Sequence, residues 1–235
     1  MEPILPMEAP PGSSDWTDPE KWVWQKVCSG EKADFNQKLG APLDPSSTAG
    51  WTADRLISGA FLQSILLAAA YRSTPSHRGI RIAGAWIKDP IDLSKGKLIA
   101  ELWLDDSRFE EKVNCSRVQA IDLISFERSF FAGDLLLYRM QSTDALNLSA
   151  AVIKGQLSLY SASIDKDLYL TNRLTCTSLD LRNARIGRTI TLHAARIAES
   201  LQMDGIWIGR DLFMDDRAEC GHIRMVAAEI EGQLE

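Results

Sequence analysis

The chain has no long hydrophobic run. Its most apolar window, residues 60–70, is interrupted by Gln63 and Ser64 and falls well short of the roughly 20 residues a membrane-spanning helix needs. The first residues show neither a basic region nor an apolar core of the kind a secretory leader carries, so the expectation is a cytoplasmic protein without a membrane span. Histidine is scarce: only His77, His193 and His222 occur. None has metal-ligand spacing, and neither HxxxH nor HExxH is present. GxGxxG, the Walker loop and GxSxG are all absent, which removes the sequence basis for a dinucleotide, a nucleotide or an acyl-transfer site. The expectation is no cofactor, no metal and no catalysis.

Charge of one sign is not in large excess either. The net charge is −6, with 7 Lys/Arg against 9 Asp/Glu in residues 1–79 and 19 against 23 in residues 80–235. Neither part has the basic excess of a nucleic-acid binder, so direct nucleic-acid binding is not expected. The four cysteines, Cys28, Cys115, Cys176 and Cys220, contain no CxxC pair and read as reduced thiols of a reducing compartment.

What the chain does have is a beat of eleven. Every eleventh residue from Ile80 to Ile223 is apolar, through Leu102, Ile124, Leu157 and Leu201, and Leu234 extends the series. The positions two later are as clean, from Ile82 through Leu104, Phe126 and Leu159 to Met225. A small residue follows three later and an apolar one two after that, as in Leu157-x-Leu159-x-x-Ala162-x-Ile164. Two apolar residues flanking one other form a minimal strand with both side chains on one face. Eleven residues thus make two short sides, and two such units close a coil of about 22 residues. Residues 80–235 then give about seven coils, a rod roughly 30–35 Å long at the ~4.8 Å strand spacing. Cys176 and Cys220 fall two rungs apart in one column, ~9–10 Å at that spacing, too far for a disulfide. Ser142, Thr175 and Glu219 occupy apolar slots, and Arg173 and Arg217 occupy small ones. Over residues 113–131, Ile121 and Leu123 compete with Ile124 and Phe126, which predicts a bulge or protruding corner there.

The N-terminal part differs. Residues 1–13 are rich in Pro and read as a tail. Thr17 or Asp18, Pro19 and Glu20 open a helix with a capping-box pattern, and Gly30 ends it. Residues 39–50 read as a loop. Thr52 or Asp54 starts a second helix that runs to about Tyr71, before a break at residues 73–78 around Pro75. The division expected is a tail over 1–13, a helical cap segment over 14–78 and a β-solenoid over 79–235 that continues or stacks beyond its last residue. An open solenoid end exposes strand edges, and the helices with Trp16, Trp22, Trp24 and Trp51 are expected to plug the first coil.

The runs Lys-Asp-Leu-Tyr-Leu (166–170) and Leu-Asp-Leu-Arg-Asn-Ala-Arg-Ile-Gly (179–187) resemble the Ala-(Asp/Asn)-Leu-x-x wording of pentapeptide-repeat proteins, over roughly residues 80–234. This chain alternates five with six residues where that family keeps five. The resemblance implies a mainly β fold, a right-handed parallel β-helix with two eleven-residue half-coils per turn, here with an N-terminal α-helical cap. It also implies a binding or scaffolding role. The wording is similar, too, to that of long bacterial repeat proteins, some labelled membrane-associated oxidoreductases, although no dinucleotide fingerprint supports that label.

Among candidate sites, the acids Asp105/Asp106, Asp165/Asp167 and Asp215/Asp216 with Glu219 alternate with inward residues and are expected to face solvent. His193 is expected at a surface corner, and residues 30–36 read as a solvated turn. Arg182, Arg185, Arg188, Arg196 and Arg210 crowd neighbouring coils. Arg188 and Arg210 are 22 residues apart and should stack, as should Trp207 on Arg185, which allows a cation–π contact. These six residues form the candidate partner or anion patch. Ile223, Met225, Ile230 and Leu234 form a candidate end-to-end interface, for a dimer or a longer chain. The reading reached is a non-enzymatic protein-interaction scaffold with an unidentified protein partner. Its alternatives are a nucleic-acid mimic acting on an enzyme such as a topoisomerase, and a sensor or scaffold region of a longer membrane-associated protein.

Overall fold

The computed structural model describes residues 13–72, 78–215 and 217–235. Residues 1–12 of the tail predicted over 1–13, the break around Pro75, His77 and Asp216 therefore lie outside the described residues, while Ser13 opens a single 3-10 turn, Ser13–Asp15. From Ile80 onward the chain is a parallel β-solenoid of about seven turns, each of about 22 residues. Every turn has four short sides. Face A starts with Ile80–Ala83, face B with Trp86–Ile87, face C with Ile91–Asp92 and face D with Lys97–Leu98. Successive rungs pair in parallel, so that Ile124 lies between Leu102 and Leu146. The two apolar columns of the beat point inward, and Leu135, Leu137, Leu157, Leu159, Leu179 and Leu181 are fully buried. Each such side chain contributes about 1.5–3 kcal/mol through its burial. Phe109 and Phe131 stack at 4.6 Å, and Phe126 meets Phe131 edge-on at 5.6 Å, filling the interior of the second and third coils.

Residues 113–131 hold no bulge. Ile124 and Phe126 are buried and Ile121 is exposed, because strand pairing at Ile124–Ser125 keeps the 22-residue register with both neighbouring rungs. The irregularity lies elsewhere. Ile153 pairs with Cys176, 23 residues on, and Cys176 pairs with Ile197, 21 on. An extra residue enters at the turn holding Asn172 and Arg173, both left-handed with φ 56° and 69°. Leu174 and Cys176, both buried, thereby take the slots assigned to Arg173 and Thr175. The same shift brings Cys220, rather than Glu219, opposite Ile197. Ser142 does point inward and is buried. Where the shift occurs, faces B and C run together into single strands, Val152–Ser158, Thr175–Asp180, Arg196–Gln202 and Glu219–Arg224.

Two of the four corners share a backbone signature. Gly84, Lys95, Asp106, Arg117, Arg128, Arg139, Ala150, Ser161, Asn172, Asn183, Ala194, Gly205 and Ala227 all have positive φ. Among the described residues they recur in steps of eleven, position 216 lying outside that set, and they lie between faces A and B or between C and D. Most close a turn such as Ala151 N–H to Leu148 C=O at 3.0 Å, with the left-handed residue in the third position, as a type II turn requires. None of the thirteen is β-branched, which fits the steric cost of that region.

The N-terminal segment closes the first coil. Helix α1 (Asp18–Cys28) begins with the expected capping box of Thr17 and Glu20. It ends in paired bonds, Glu31 N–H to Lys26 C=O at 2.9 Å and Gly30 N–H to Val27 C=O at 3.1 Å, the pattern of a Schellman stop. Ala33–Asp34 then pairs with Ile82 and Ala83, extending face A. Helix α2 (Phe35–Lys38) follows. The second helix predicted from residue 52 is not continuous. Ala53–Arg55 forms a single 3-10 turn, and Leu56 bridges Trp86 on face B. Only then does Ser58 cap α3 (Gly59–Leu67), followed by α4 (Ala69–Arg72). The competing strand bridge pulls residues 56–57 out of the helix. Helix α3 packs on faces C and D of the first coil. The contact is direct, for a Cβ at Gly59 would stand 2.6 Å from the Pro90 carbonyl oxygen. Trp16, Trp24, Phe61 and Tyr71 interlock within this cap, and Trp24 and Trp51 are buried.

Candidate functional site

Face D carries the cation–aromatic pair the spacing predicted. Arg185 lies opposite Trp207 in adjacent rungs, with Ile186 and Ile208 fully buried beneath. The guanidinium carbon is 4.8 Å from the indole centroid. At the neighbouring corner Lys166, Arg188 and Arg210 form one column, with Arg188 N–H donating to Lys166 C=O at 3.2 Å and Arg210 N–H to Arg188 C=O at 3.0 Å. Lys166 pairs with Asp144 at 2.5 Å and Arg188 with Asp167 at 3.3 Å. The Asp144 hydrogen bond holds the Lys166 ammonium above its ordinary pKa. Among the described residues neither Arg185 nor Arg210 has a carboxylate within ion-pair distance.

Not every predicted residue joins this surface. Arg182 sits one corner earlier, held by both carboxylate oxygens of Asp180 at 2.8 and 2.9 Å. Arg196 is on face B, across the coil, 3.4 Å from Glu219. The patch is therefore Arg185, Trp207, Arg188 and Arg210, joined by Lys166, which belongs to the same column but was not singled out in the sequence. Of the candidate end-to-end residues, Ile223 and Leu234 are 44 % and 60 % exposed, while Met225 and Ile230 are half-buried. Leu234 bridges back to Leu212.

The acids do not all face solvent. Asp105 and Asp167 are buried, whereas Asp165, Asp215 and Glu219 are exposed. Asp105 accepts from Ser125 Oγ at 2.7 Å and from the Glu127 amide at 2.9 Å. Burial pushes its carboxyl up to about 6, against the opposing pull of those two bonds. Asp106, the corner residue beside it, holds Arg128 through bonds of 2.6 and 2.9 Å. His193 is half-buried at its corner, beside Phe213 and paired with Asp215. Among the described residues no three His, Cys, Asp or Glu side chains converge as a metal-binding group. All four cysteines are free, and burial pushes the Cys115 and Cys176 thiols up to about 12, which keeps them protonated and unreactive. No described helix is long and apolar enough to cross a membrane.

A second surface, which the sequence did not disclose, lies on face B. Trp86, Arg108 and Phe130 form its outward column in the first three rungs. Arg108 grips Glu110 through Nε at 2.7 Å and Nη2 at 3.0 Å, and its guanidinium lies 4.5 Å from the Phe130 centroid. Trp86 Nε1 donates to the same Glu110 at 2.9 Å. Burial raises the Glu110 carboxyl, but the bonds from Arg108 and Trp86 outweigh it and hold the group below its ordinary pKa.

Comparison with protein-family models, curated proteins and solved structures gives no match to this chain.

Proposed function

We propose that this protein is a non-catalytic interaction scaffold that presents face D to an acidic surface of a protein partner. The observation that carries the reading is the exposed Arg185 guanidinium stacked at 4.8 Å on Trp207, beside the Arg188–Arg210 column. Arginine and tryptophan are the residues most often found to dominate binding energy at protein interfaces. A solenoid face holds them on a sheet whose inward side is fully packed, so little ordering entropy is lost on docking. The resemblance to pentapeptide-repeat proteins points the same way, toward a scaffold. The free thiols fit a reducing, cytoplasmic setting.

A nucleic-acid mimic needs a continuous acidic row. The corner column here runs Asp122, Asp144, Lys166, Arg188 and Arg210, changing sign half-way, so the scaffold reading is preferred. The test is affinity capture from the native cell with the wild-type chain and with an Arg185→Glu/Arg210→Glu variant of unchanged thermal stability. A partner retained by the wild type and lost by the variant is expected. Retention by both baits removes face D from the reading, and inhibition of a topoisomerase by the wild-type chain would replace the scaffold with the mimic.

A further inference from the structure

Alternation assigns Arg108 and Phe130 to the outer side of face B, since their neighbours Phe109 and Phe131 fill the interior. Yet each is only 6 % exposed. What lies over Arg108 is the loop of residues 41–50. Arg108 Nη1 donates to the Pro45 carbonyl at 2.7 Å and more weakly to that of Ser47 at 3.4 Å. A second buried arginine, Arg55, donates through Nη2 to the Ala41 carbonyl at 2.7 Å. Two arginines on the folded body thus hold the loop by its backbone oxygens.

The loop itself has little at stake. None of residues 41–50 is buried, so it contributes no side chain to the core. Its own order comes from a turn at Asp44, where the Ser46 amide donates to Asp44 Oδ1 at 2.8 Å and the Ser47 amide to the Asp44 carbonyl at 3.1 Å. Glycines in the left-handed region stand at both ends, Gly40 with φ 76° and Gly50 with φ 84°. The surface beneath is different in kind. Trp86, Glu110, Arg108 and Phe130 are fixed to one another and to the sheet, so the aromatic and cationic column is already ordered before anything docks.

We propose that residues 41–50 form a removable strap, and that the face B surface around Arg108 which it covers is a docking site for a proline-containing turn of a partner protein. The strap is the occupant that defines the chemistry. It presents Pro42 and Pro45 and offers carbonyls to arginine. Proline has no N–H and a fixed φ that favours the second position of such a turn, where Pro45 stands with its carbonyl accepting from Arg108. A partner segment of the same character competes with the strap for the same arginine. This site lies across the coil from the face D surface and does not depend on it.

The test uses the full chain and a labelled peptide of residues 40–50. In one variant, residues 41–49 are replaced by a Gly/Ser sequence of equal length. The peptide is expected to bind this variant saturably and the wild type at least about ten-fold more weakly, because the wild-type site is open only in a minor fraction of molecules. Adding Arg108→Lys to the variant should weaken binding, since lysine cannot both hold Glu110 and reach the carbonyl. Equal affinity for variant and wild type, or no saturable binding to the variant, overturns the proposal. Should the variant fail to fold, amide exchange in the wild type decides. The Ser46, Ser47 and Ala49 amides are expected to exchange through a local opening insensitive to low denaturant. Exchange only through global unfolding would show the strap to be a fixed part of the fold.

Discussion

The carboxyl of Asp105 sits on a strand position that alternation assigns to solvent, yet the next coil closes over it through Ser125 and the Glu127 amide. Its pKa, raised by burial to about 6, means that the folded chain holds this proton more tightly than the unfolded one. The contribution to stability is then fully present below the unfolded value, near 4, and is lost as pH rises through about 6. Asp105→Asn keeps an acceptor for both donors and removes the charge. The variant should match the wild type at about pH 3 and exceed it by about 1–3 kcal/mol at pH 8, read from chemical denaturation at the two pH values. A variant less stable than the wild type at pH 8 would show that the ionised carboxylate is itself needed. Glu20 is the counterweight. Its burial is outweighed by hydrogen bonds from Ser58 and Thr17, and its pKa is lowered. Its contribution is therefore present above the ordinary carboxyl range and fades as pH falls through the lower folded value.

Among the elements, the corners carry a demand that apolar patterning does not reveal. A left-handed residue costs about 1–2 kcal/mol in any non-glycine chain position, and a β-branched one more. Ala150, with φ 58°, is a partly open corner where the demand can be isolated. Ala150→Val should destabilise the protein by about 1–3 kcal/mol. Ala150→Gly should leave stability unchanged or raise it by up to about 1 kcal/mol, as relief of strain offsets the freer unfolded chain. Thermal unfolding of the two variants checks both, and a Val variant as stable as the Gly variant would remove conformational strain from the account. The inward columns, the coil length and the Arg185–Trp207 pairing were legible because period and register place residues without knowledge of side-chain contacts. The corner signature was present too, in unbranched residues at every eleventh position from Gly84. The extra residue at Asn172–Arg173 left a trace, Arg173 in a small slot and Thr175 in an apolar one, but these misfits do not say that Leu174 and Cys176 move into the slots instead. The strap was not legible, for its contact between Pro45 and Arg108 spans 63 residues with no local pattern to announce it.

In the whole molecule the two ends of the rod are unequal. The first coil is paired on face A by Ala33–Asp34, bridged on face B at Trp86, and packed on faces C and D by α3. The last rung leaves Ile223, Val226 and Leu234 44–60 % exposed. Solenoid stability is a sum of rung and nearest-neighbour terms, so opening should start in the rung whose apolar side chains are least covered. Amide exchange is expected to show a gradient, with residues 219–235 least protected and the coils between 146 and 202 most protected. Uniform protection along the rod would mean that the solenoid unfolds as one cooperative unit.

The paired shifts in strand register have a further consequence. The residue gained at Asn172–Arg173 is given back within the same coil, since Ile153 pairs 23 residues on but Leu157 only 22 on. The next turn down loses what the previous one gained on face B, and face A keeps its step throughout. Length is thus conserved per turn while each side is free to vary. An insertion at one corner is tolerated when its neighbour shortens, and every later rung remains in phase. The repeat behaves as a counter that resets once per revolution, so local drift in the sequence does not accumulate along the rod.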